Sequence, residues 1–138
     1  MKKSSLMIIL GIILFGCDAD PIKLKPGETC NDEYKDKVVE ISGELYVPSE
    51  FITVSGGAMH MYIKGEGTEK TPIIAFWSGN EANRMEPLPE NYTEEDVKIH
   101  DMNNQIIKSG DRVRVVGKMV STLKSWCQLD VKEIEKIN

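Results

Sequence analysis

Cysteine and histidine are the residues with the most distinctive chemistry in this sequence, and both are scarce. The chain has three cysteines and two histidines among 138 residues. His60 and His100 fall outside every zinc-hydrolase, phosphate-loop, nucleophile-elbow and paired-cysteine redox motif. A Ser-His-Asp arrangement requires no fixed spacing, but nothing in the sequence singles one out. We therefore expect no catalytic residues, no metal ion and no cofactor.

Acidic side chains are the other candidates for metal chemistry. Glu94, Glu95, Asp96 and Asp101 lie close together in the sequence. A calcium loop alternates its ligands and needs a glycine at a sharp turn, and this segment has neither feature. We interpret the four carboxylates as solvated surface charge.

The first residues of the chain have the pattern of a signal peptide. Lys2 and Lys3 give a positive start, and residues 6–15 follow without a charge. At about 1.5 Å per helical residue this run spans only about half of a ~30 Å hydrocarbon core, so it is too short for a membrane-spanning helix. The small residues of an ordinary signal cleavage site do not occur here.

A lone cysteine ends this apolar run. Leu14, Phe15, Gly16 and Cys17 resemble the lipobox of bacterial lipoproteins, a family in which the signal is cut before the cysteine and the cysteine carries the lipid. The resemblance implies a signal peptide over residues 1–16 and a lipid anchor on Cys17, whose several acyl chains would attach the protein stably to a membrane. An ordinary secreted protein with a stray cysteine is the alternative.

The residue after this cysteine bears on the expected location. Asp18 stands where an aspartate resembles the inner-membrane retention signal of enteric-type lipoproteins. The expected location is therefore the bacterial cell envelope, anchored by lipid. The inner membrane facing the periplasm is favoured, and the outer membrane is the alternative.

Composition limits the size and the partners of the remaining chain. Cleavage after residue 16 leaves 122 of the 138 residues, which is enough for one domain. Cleavage also removes two of the 17 basic residues, so 15 remain against 22 acidic ones and the net charge is −7. This balance opposes nucleic acid as a partner, because nucleic-acid binders usually present a basic face. Two prolines and a glycine predict a lipidated tether over residues 17–29, ahead of a folded domain over residues 30–138.

Period-two alternation of apolar and polar residues, together with one short apolar run, predicts five principal strands. Gly43 interrupts the apolar face of the first strand, and a glycine there is typical of a sharp bend where one strand serves two sheets. Pro72 is expected at the start of the third strand, because proline cannot donate to a central ladder. The predicted strands cover residues 36–48, 59–64, 71–77, 109–122 and 126–137.

Residues 78–107 interrupt this series of strands and are mostly polar. Residues 93–96 have the pattern of a capped helical turn. Two β-favouring stretches flank Asn103 and Asn104, which predicts a hairpin there. A helix over residues 94–108 is the alternative, and the asparagine pair and the β-branched residues favour the hairpin.

The order of the predicted strands resembles the OB-fold. The resemblance is carried by the long first strand with its central glycine, the hairpin after it, "GDRVRVVGK" at 110–118 and "LDVKEIEKI" at 129–137. More narrowly, residues 37–137 resemble the tRNA-anticodon-type OB domains of bacterial envelope lipoproteins. The resemblance implies an all-β fold, a small five-stranded OB-like barrel. The chain departs from the OB-fold pattern between strands three and four, where many OB-folds have a helix and this sequence predicts a long loop or an extra hairpin.

Aromatic side chains on the outside of this barrel are the candidate ligand-binding residues. When the apolar faces point inward, Tyr46, His60 and Tyr62 point outward, and either Trp77 or Phe76 of the third strand can join them. OB-folds that this chain resembles bind oligonucleotides or sugars on that surface by stacking, at ~1–3 kcal/mol for each base. The favoured alternative is that residues 78–107 pack over these rings.

These features predict a membrane-anchored, non-enzymatic binding or accessory module whose partner is an envelope protein, a peptide or a glycan. Single-stranded nucleic-acid binding through the OB face is the alternative, although fold analogy alone supports it weakly. Arg112, Arg114 and Lys118 form a basic strip, which we interpret as soluble surface. A hydrolase acting on wall or nucleotide substrates is the least favoured class, because no catalytic motif supports it.

Two cysteines remain once Cys17 carries the lipid, and the expected compartment is oxidising. In an OB barrel the first and fifth strands flank the fourth and start at the same end, separated by ~10 Å. Cys127 lies at the start of the predicted fifth strand, and Cys30 lies seven residues before Lys37 near the start of the first, a length of chain that can span more than ~20 Å when extended. We therefore predict a structural disulfide between Cys30 and Cys127.

Overall fold

Strands dominate the molecule, as the alternating sequence pattern requires. The computed structural model describes residues 19–48, 53–54, 58–74, 79, 82–123 and 126–138. Within these residues there are ten strands and two 3-10 turns. The strands are β1 (Ile22–Leu24), β2 (Val38–Tyr46), β3 (Thr53–Val54), β4 (Ala58–Lys64), β5 (Lys70–Ile74), β6 (Arg84–Met85), β7 (Ile99–His100), β8 (Ile106–Ile107), β9 (Arg112–Leu123) and β10 (Trp126–Lys136), and the turns are Asp32–Tyr34 and Glu94–Asp96.

Five long strands form a ring. β2 pairs with β9, β9 with β10, β10 with β5, β5 with β4, and β4 pairs again with β2. The β10–β5 pairing is parallel and the other four are antiparallel. A closed ring leaves no long unpaired edge among its members. The all-β class and the five principal strands are confirmed, as is the placement of the first and last of them on either side of the fourth.

The core fills the inside of the ring with the residues that the alternation predicts. Burial of apolar side chains is the main favourable term in folding, so the inward positions carry most of the stability. Each of these side chains is fully shielded from solvent: Val39, Ile41, Leu45, Val47, Met59, Met61, Ile63, Val113, Val115, Met119 and Leu129.

β2 bends sharply at its central glycine. It pairs with β9 from Val38 to Glu44 and with β4 from Glu44 to Tyr46. A Cβ atom at Gly43 would collide with the backbone carbonyl of Lys64. The predicted bend is confirmed, and its cause is the close approach of β4.

Pro72 lies in the middle of β5, opposite Tyr62, so the expectation that it begins its strand is wrong. The other edge of β5 pairs with β10 at Ile73 and Ile74. Pro72 therefore lies just before the part of β5 that is paired on both edges. With only one edge paired at its own position, the lack of an N–H group is tolerated.

The segment between β5 and β9 forms a separate small sheet. β6, β7 and β8 pair antiparallel in that order. The β7–β8 hairpin turns through Asn104, whose φ of 61° lies in the left-handed region that asparagine tolerates. The predicted hairpin is confirmed and the alternative helix over residues 94–108 is wrong, because only Glu94–Asp96 makes a single helical turn.

This small sheet is attached to the end of β10. The side-chain oxygen of Asn83 accepts a hydrogen bond from the Ile134 amide at 2.8 Å, and Asp101 accepts one from the Lys136 amide at 3.0 Å. Four apolar residues of the segment join the main core: Met85, Val97, Ile99 and Ile107. The segment thereby packs against the core of the ring.

The chain before β2 packs on the ring. β1 pairs in parallel with β2. Thr29 is fully buried and its hydroxyl lies 3.3 Å from that of Thr71, while the Gly27 amide donates to the same Thr71 oxygen. The described part of the predicted tether, residues 19–29, therefore belongs largely to the folded unit, and packing begins earlier than residue 30.

Candidate ligand-binding site

Tyr46 and Tyr62 form an aromatic pair on the outer face of the ring. The two residues stand directly opposite each other where β2 pairs with β4. Their ring centroids are 6.3 Å apart and their planes are tilted by 41°, within the range of favourable aromatic pairs. Both side chains are partly exposed. The structure thus brings together two of the four predicted ligand-binding residues.

Two lysine ammonium groups lie against this pair. The Lys64 Nζ is 3.8 Å from the centroid of the Tyr46 ring, and the Lys70 Nζ is 4.8 Å from the same centroid. Lys70 also lies 5.9 Å from the Tyr62 centroid. Each contact is a cation–π interaction worth ~0.5–1 kcal/mol at an exposed site. We call Tyr46, Tyr62, Lys64 and Lys70 the tyrosine–lysine cluster.

Sequence reasoning missed the two lysines of the cluster. Lys64 follows Tyr62 by two residues, so the alternation of β4 places both on the outer face. That signal was available. Lys70 precedes the predicted third strand, and only the β4–β5 register places it opposite Lys64.

The other two predicted ligand-binding residues have different outcomes. His60 lies on β4 two residues before Tyr62, so both side chains share the outer face, and His60 is partly buried. Trp77 lies outside the described residues, as do Cys17 and Asp18. Their roles stay predictions.

The lysines of the cluster have no carboxylate partner among the described residues. Glu44 stands opposite Lys64 in the β2–β4 register, but the two do not form an ion pair within 4 Å. Lys70 likewise forms no ion pair with a described carboxylate, and its ammonium group lies against the two tyrosine rings. The cluster therefore holds two ammonium groups without an ion-paired carboxylate on a chain with a net charge of −5.

The predicted basic strip on β9 has a different environment. Arg114 bridges Glu40 and Glu135, with nitrogen–oxygen distances of 3.2 and 3.0 Å. Partial burial opposes the charge of the guanidinium, but the hydrogen bonds that it donates to Glu135 and Glu40 outweigh this effect and raise the pKa of Arg114. Lys118 lies 3.6 Å from Asp36. Carboxylates thus neutralise the charges of Arg114 and Lys118, two of the three members of the strip. This is consistent with the interpretation of the strip as ordinary solvent-facing surface.

Cys30 and Cys127 form a bonded pair with Cα atoms 5.5 Å apart. The bond joins the segment before β2 to the start of β10. Nearby, the Thr122 hydroxyl donates to Asp32 at 2.6 Å, a second link between the same segment and the β9–β10 hairpin.

In the part of the chain that the structure describes, no group of three or more histidine, cysteine, aspartate or glutamate side chains is arranged to hold a metal ion. None of the helical turns there is long and apolar enough to cross a membrane.

No protein-family model matches the sequence, and neither does any curated protein sequence. Among solved structures, the chain is similar to a crystal structure from Leishmania major Friedlin assigned as an aspartyl-tRNA synthetase. The match has 14% sequence identity and a TM-score of 0.48, and it covers 96% of this chain but only 23% of the other. A likeness of this degree carries no argument about what the chain does.

Proposed function

We propose that the chain is a membrane-anchored extracytoplasmic lipoprotein whose OB-like domain is a non-enzymatic binding module for a protein, peptide or glycan partner. The observation that carries the proposal is the tyrosine–lysine cluster. It combines two partly exposed aromatic rings with two cations that lack a carboxylate partner among the described residues.

The arrangement of strands supports an OB-like fold. A long bent first strand pairs with two neighbours, and the first and last ring strands flank the fourth. The small β6–β7–β8 sheet occupies the place in the chain, between the third and fourth ring strands, where many OB-folds have a helix. In an OB-like domain the face of the second and third strands is a common ligand surface, and β4 and β5 carry three members of the cluster.

Side-chain chemistry supports binding at this place. A tyrosine ring presents apolar area and a hydroxyl, and a lysine presents a mobile ammonium donor. Together they can hold a ligand by packing and hydrogen bonding.

Retention of an envelope component on the domain tests the proposal. Residues 21–138 are immobilised and exposed to solubilised envelope, in parallel with a Tyr46→Ala/Tyr62→Ala variant. Val120→Ala, which trims an exposed apolar side chain on β9, is the matched control. We expect the wild-type domain and the control to retain the same component and the double variant to lose it.

The proposal is wrong if the correctly folded wild-type domain retains nothing and deletion of the gene leaves every envelope property unchanged. With that outcome, the cluster is ordinary surface. Circular dichroism of each variant distinguishes loss of binding from loss of folding.

Single-stranded nucleic acid is the second candidate, because aromatic rings beside lysines are also what such binders use. The acidic balance of the chain opposes it. Fluorescence polarisation with a labelled oligonucleotide at low salt tests it. Micromolar affinity with a steep dependence on salt would reverse the ranking of the two functions.

A further inference from the structure

We propose that the tyrosine–lysine cluster binds a carboxylate group of an acidic glycan, with the ammonium groups of Lys64 and Lys70 as its donors. This inference rests on the proposed binding function and specifies the ligand class. It goes beyond the stacking surface that the aromatic residues alone suggest.

Two like charges meet at one ring. Lys64 and Lys70 are direct partners in the β4–β5 register, an arrangement that is unfavourable for two cations. Both Nζ atoms lie near the Tyr46 centroid, so they are at most 8.6 Å apart, the sum of the 3.8 and 4.8 Å distances. Lysine ammonium groups are carried on flexible stems, so both can turn toward one bound carboxylate and donate charge-assisted hydrogen bonds of about 2.8 Å to it. An anion placed there would relieve the repulsion.

The protein does not itself supply that anion from its described residues. Elsewhere on the same sheet, Lys23, Arg114 and Lys118 each pair with a carboxylate at 3.0 to 3.9 Å. Glu44 is in register with Lys64 and yet leaves it unpaired. Since the chain has 22 acidic and 17 basic residues, a converging pair of lysines that forms no ion pair with a described carboxylate is a distinct local environment.

The same geometry disfavours stacking of a nucleobase. The Lys64 ammonium lies over the face of Tyr46 at 3.8 Å, so a base could stack on that face only by displacing it. Binders of single strands combine open aromatic faces with a longer basic groove. Here the two ammonium groups can pair with only one or two negative charges. Single carboxylates spaced along a sugar chain match that number.

An extended peptide is also disfavoured. Peptides often bind by adding a strand to a free sheet edge, where main-chain hydrogen bonds give the affinity. β4 is paired on both sides, with β2 and with β5, at the positions of Tyr62 and Lys64. At these two positions β4 therefore has no free edge for a peptide, and Tyr62 and Lys64 can recognise a ligand only through their side chains. Sugar hydroxyls and carboxylates need no backbone partner.

Titration with a charged glycan and its neutral form tests the inference. The full-length chain in mild detergent is titrated with polygalacturonate oligomers and with the same oligomers fully methyl-esterified, by calorimetry at low ionic strength. We expect the acid form to bind and the ester to bind about tenfold or more weakly, as expected for loss of charge-assisted hydrogen bonds. Lys64→Gln and Lys70→Gln should each weaken binding several-fold, while Lys35→Gln, an exposed lysine outside the cluster, should not.

The outcomes separate this inference from the proposed function. Equal affinity for the acid and the ester overturns the anion site but keeps a glycan-binding module. Absence of glycan binding, with an envelope protein retained by the immobilised domain, overturns the glycan and keeps the binding module. Tighter binding of oligodeoxythymidine than of polygalacturonate overturns both. If none of these ligands binds and no envelope component is retained, both also fail.

Discussion

Cys30 and Cys127 are 97 residues apart in the sequence, and their Cα atoms are 5.5 Å apart in the structure. This separation is within the range of native disulfides. Cys127 is almost fully buried at the start of β10, and Cys30 precedes the first ring strand. The pair therefore fastens the segment that leads toward the predicted lipid anchor onto the ring.

Removal of this bond should destabilise the domain. In the chain-entropy account, a bond that closes a loop of about a hundred residues contributes ~4–5 kcal/mol, and measured values are often smaller. We expect the Cys30→Ser/Cys127→Ser variant to unfold at a clearly lower denaturant concentration than the wild type. Alkylation followed by intact-mass measurement is the control. Two labelled thiols in the unreduced wild type would show that the bond does not form.

Gly43→Ala should lower stability because its Cβ has no room. The added methyl group meets the carbonyl of Lys64 on the neighbouring strand, and backbone cannot yield as a flexible side chain can. Overpacking of this kind typically costs ~1–3 kcal/mol. Gly79→Ala is the matched control, because its Cβ would meet only side-chain atoms of Arg84 at 3.6 Å. Equal urea midpoints for the two variants would contradict the account of the bend.

Asp101 should be essential for docking of the small sheet. The interpretation of this carboxylate as solvated surface charge is wrong, because it is fully buried and accepts hydrogen bonds from the backbone amides of Asn103, Gln105 and Lys136. Asp101→Ala leaves these amides without their partner, at a cost of ~1–3 kcal/mol for each one that stays buried and unsatisfied. Asp96→Ala, on the exposed helical turn, should cost less. Hydrogen exchange measures the effect locally, and unchanged protection of the β7–β8 hairpin would refute the prediction.

Stability should fall in acid partly through Asp111. Burial opposes its charge, but the hydrogen bonds from Lys136 and the Lys108 amide prevail and lower its pKa in the folded state. A lowered folded-state pKa means that Asp111 stabilises the fold above its unfolded-state pKa, and that this contribution is lost as pH falls through the folded-state value. Asp111→Asn should therefore be less stable than the wild type at pH 6, with a smaller difference near pH 2.5. A difference that does not depend on pH would contradict this. Asp20→Asn, at an exposed position, is the control.

Membrane attachment should depend on Cys17. In a bacterial host with lipoprotein processing, we expect the wild type to partition into detergent and to carry added acyl mass. Cys17→Ser should remain unprocessed and lack that mass, whereas Cys30→Ser should still be lipidated. Detergent partitioning and intact mass measure both, and an unmodified wild-type Cys17 would refute the lipoprotein assignment.

Local pattern was sufficient to predict much of the fold. The alternation around Val39 and Ile41 assigned the inner face of the first ring strand, because successive side chains of a strand point to opposite sides. Gly43 marked the bend, and Asn103 and Asn104 marked the hairpin. Two-residue β-strands such as Arg84–Met85 were not predictable, because so few residues have no measurable periodicity and acquire their pairing from the rest of the fold.

The sequence by itself determined which side chains lie inside the ring, where the chain bends and turns, and which cysteines could meet. It also placed Tyr46 and Tyr62 on the outer face. Only the tertiary structure decided that Lys70 lies beside Tyr46, since the two residues are on different strands with β4 between them. Contacts of this kind depend on strand register, and register follows from how the whole core packs rather than from any local run of residues.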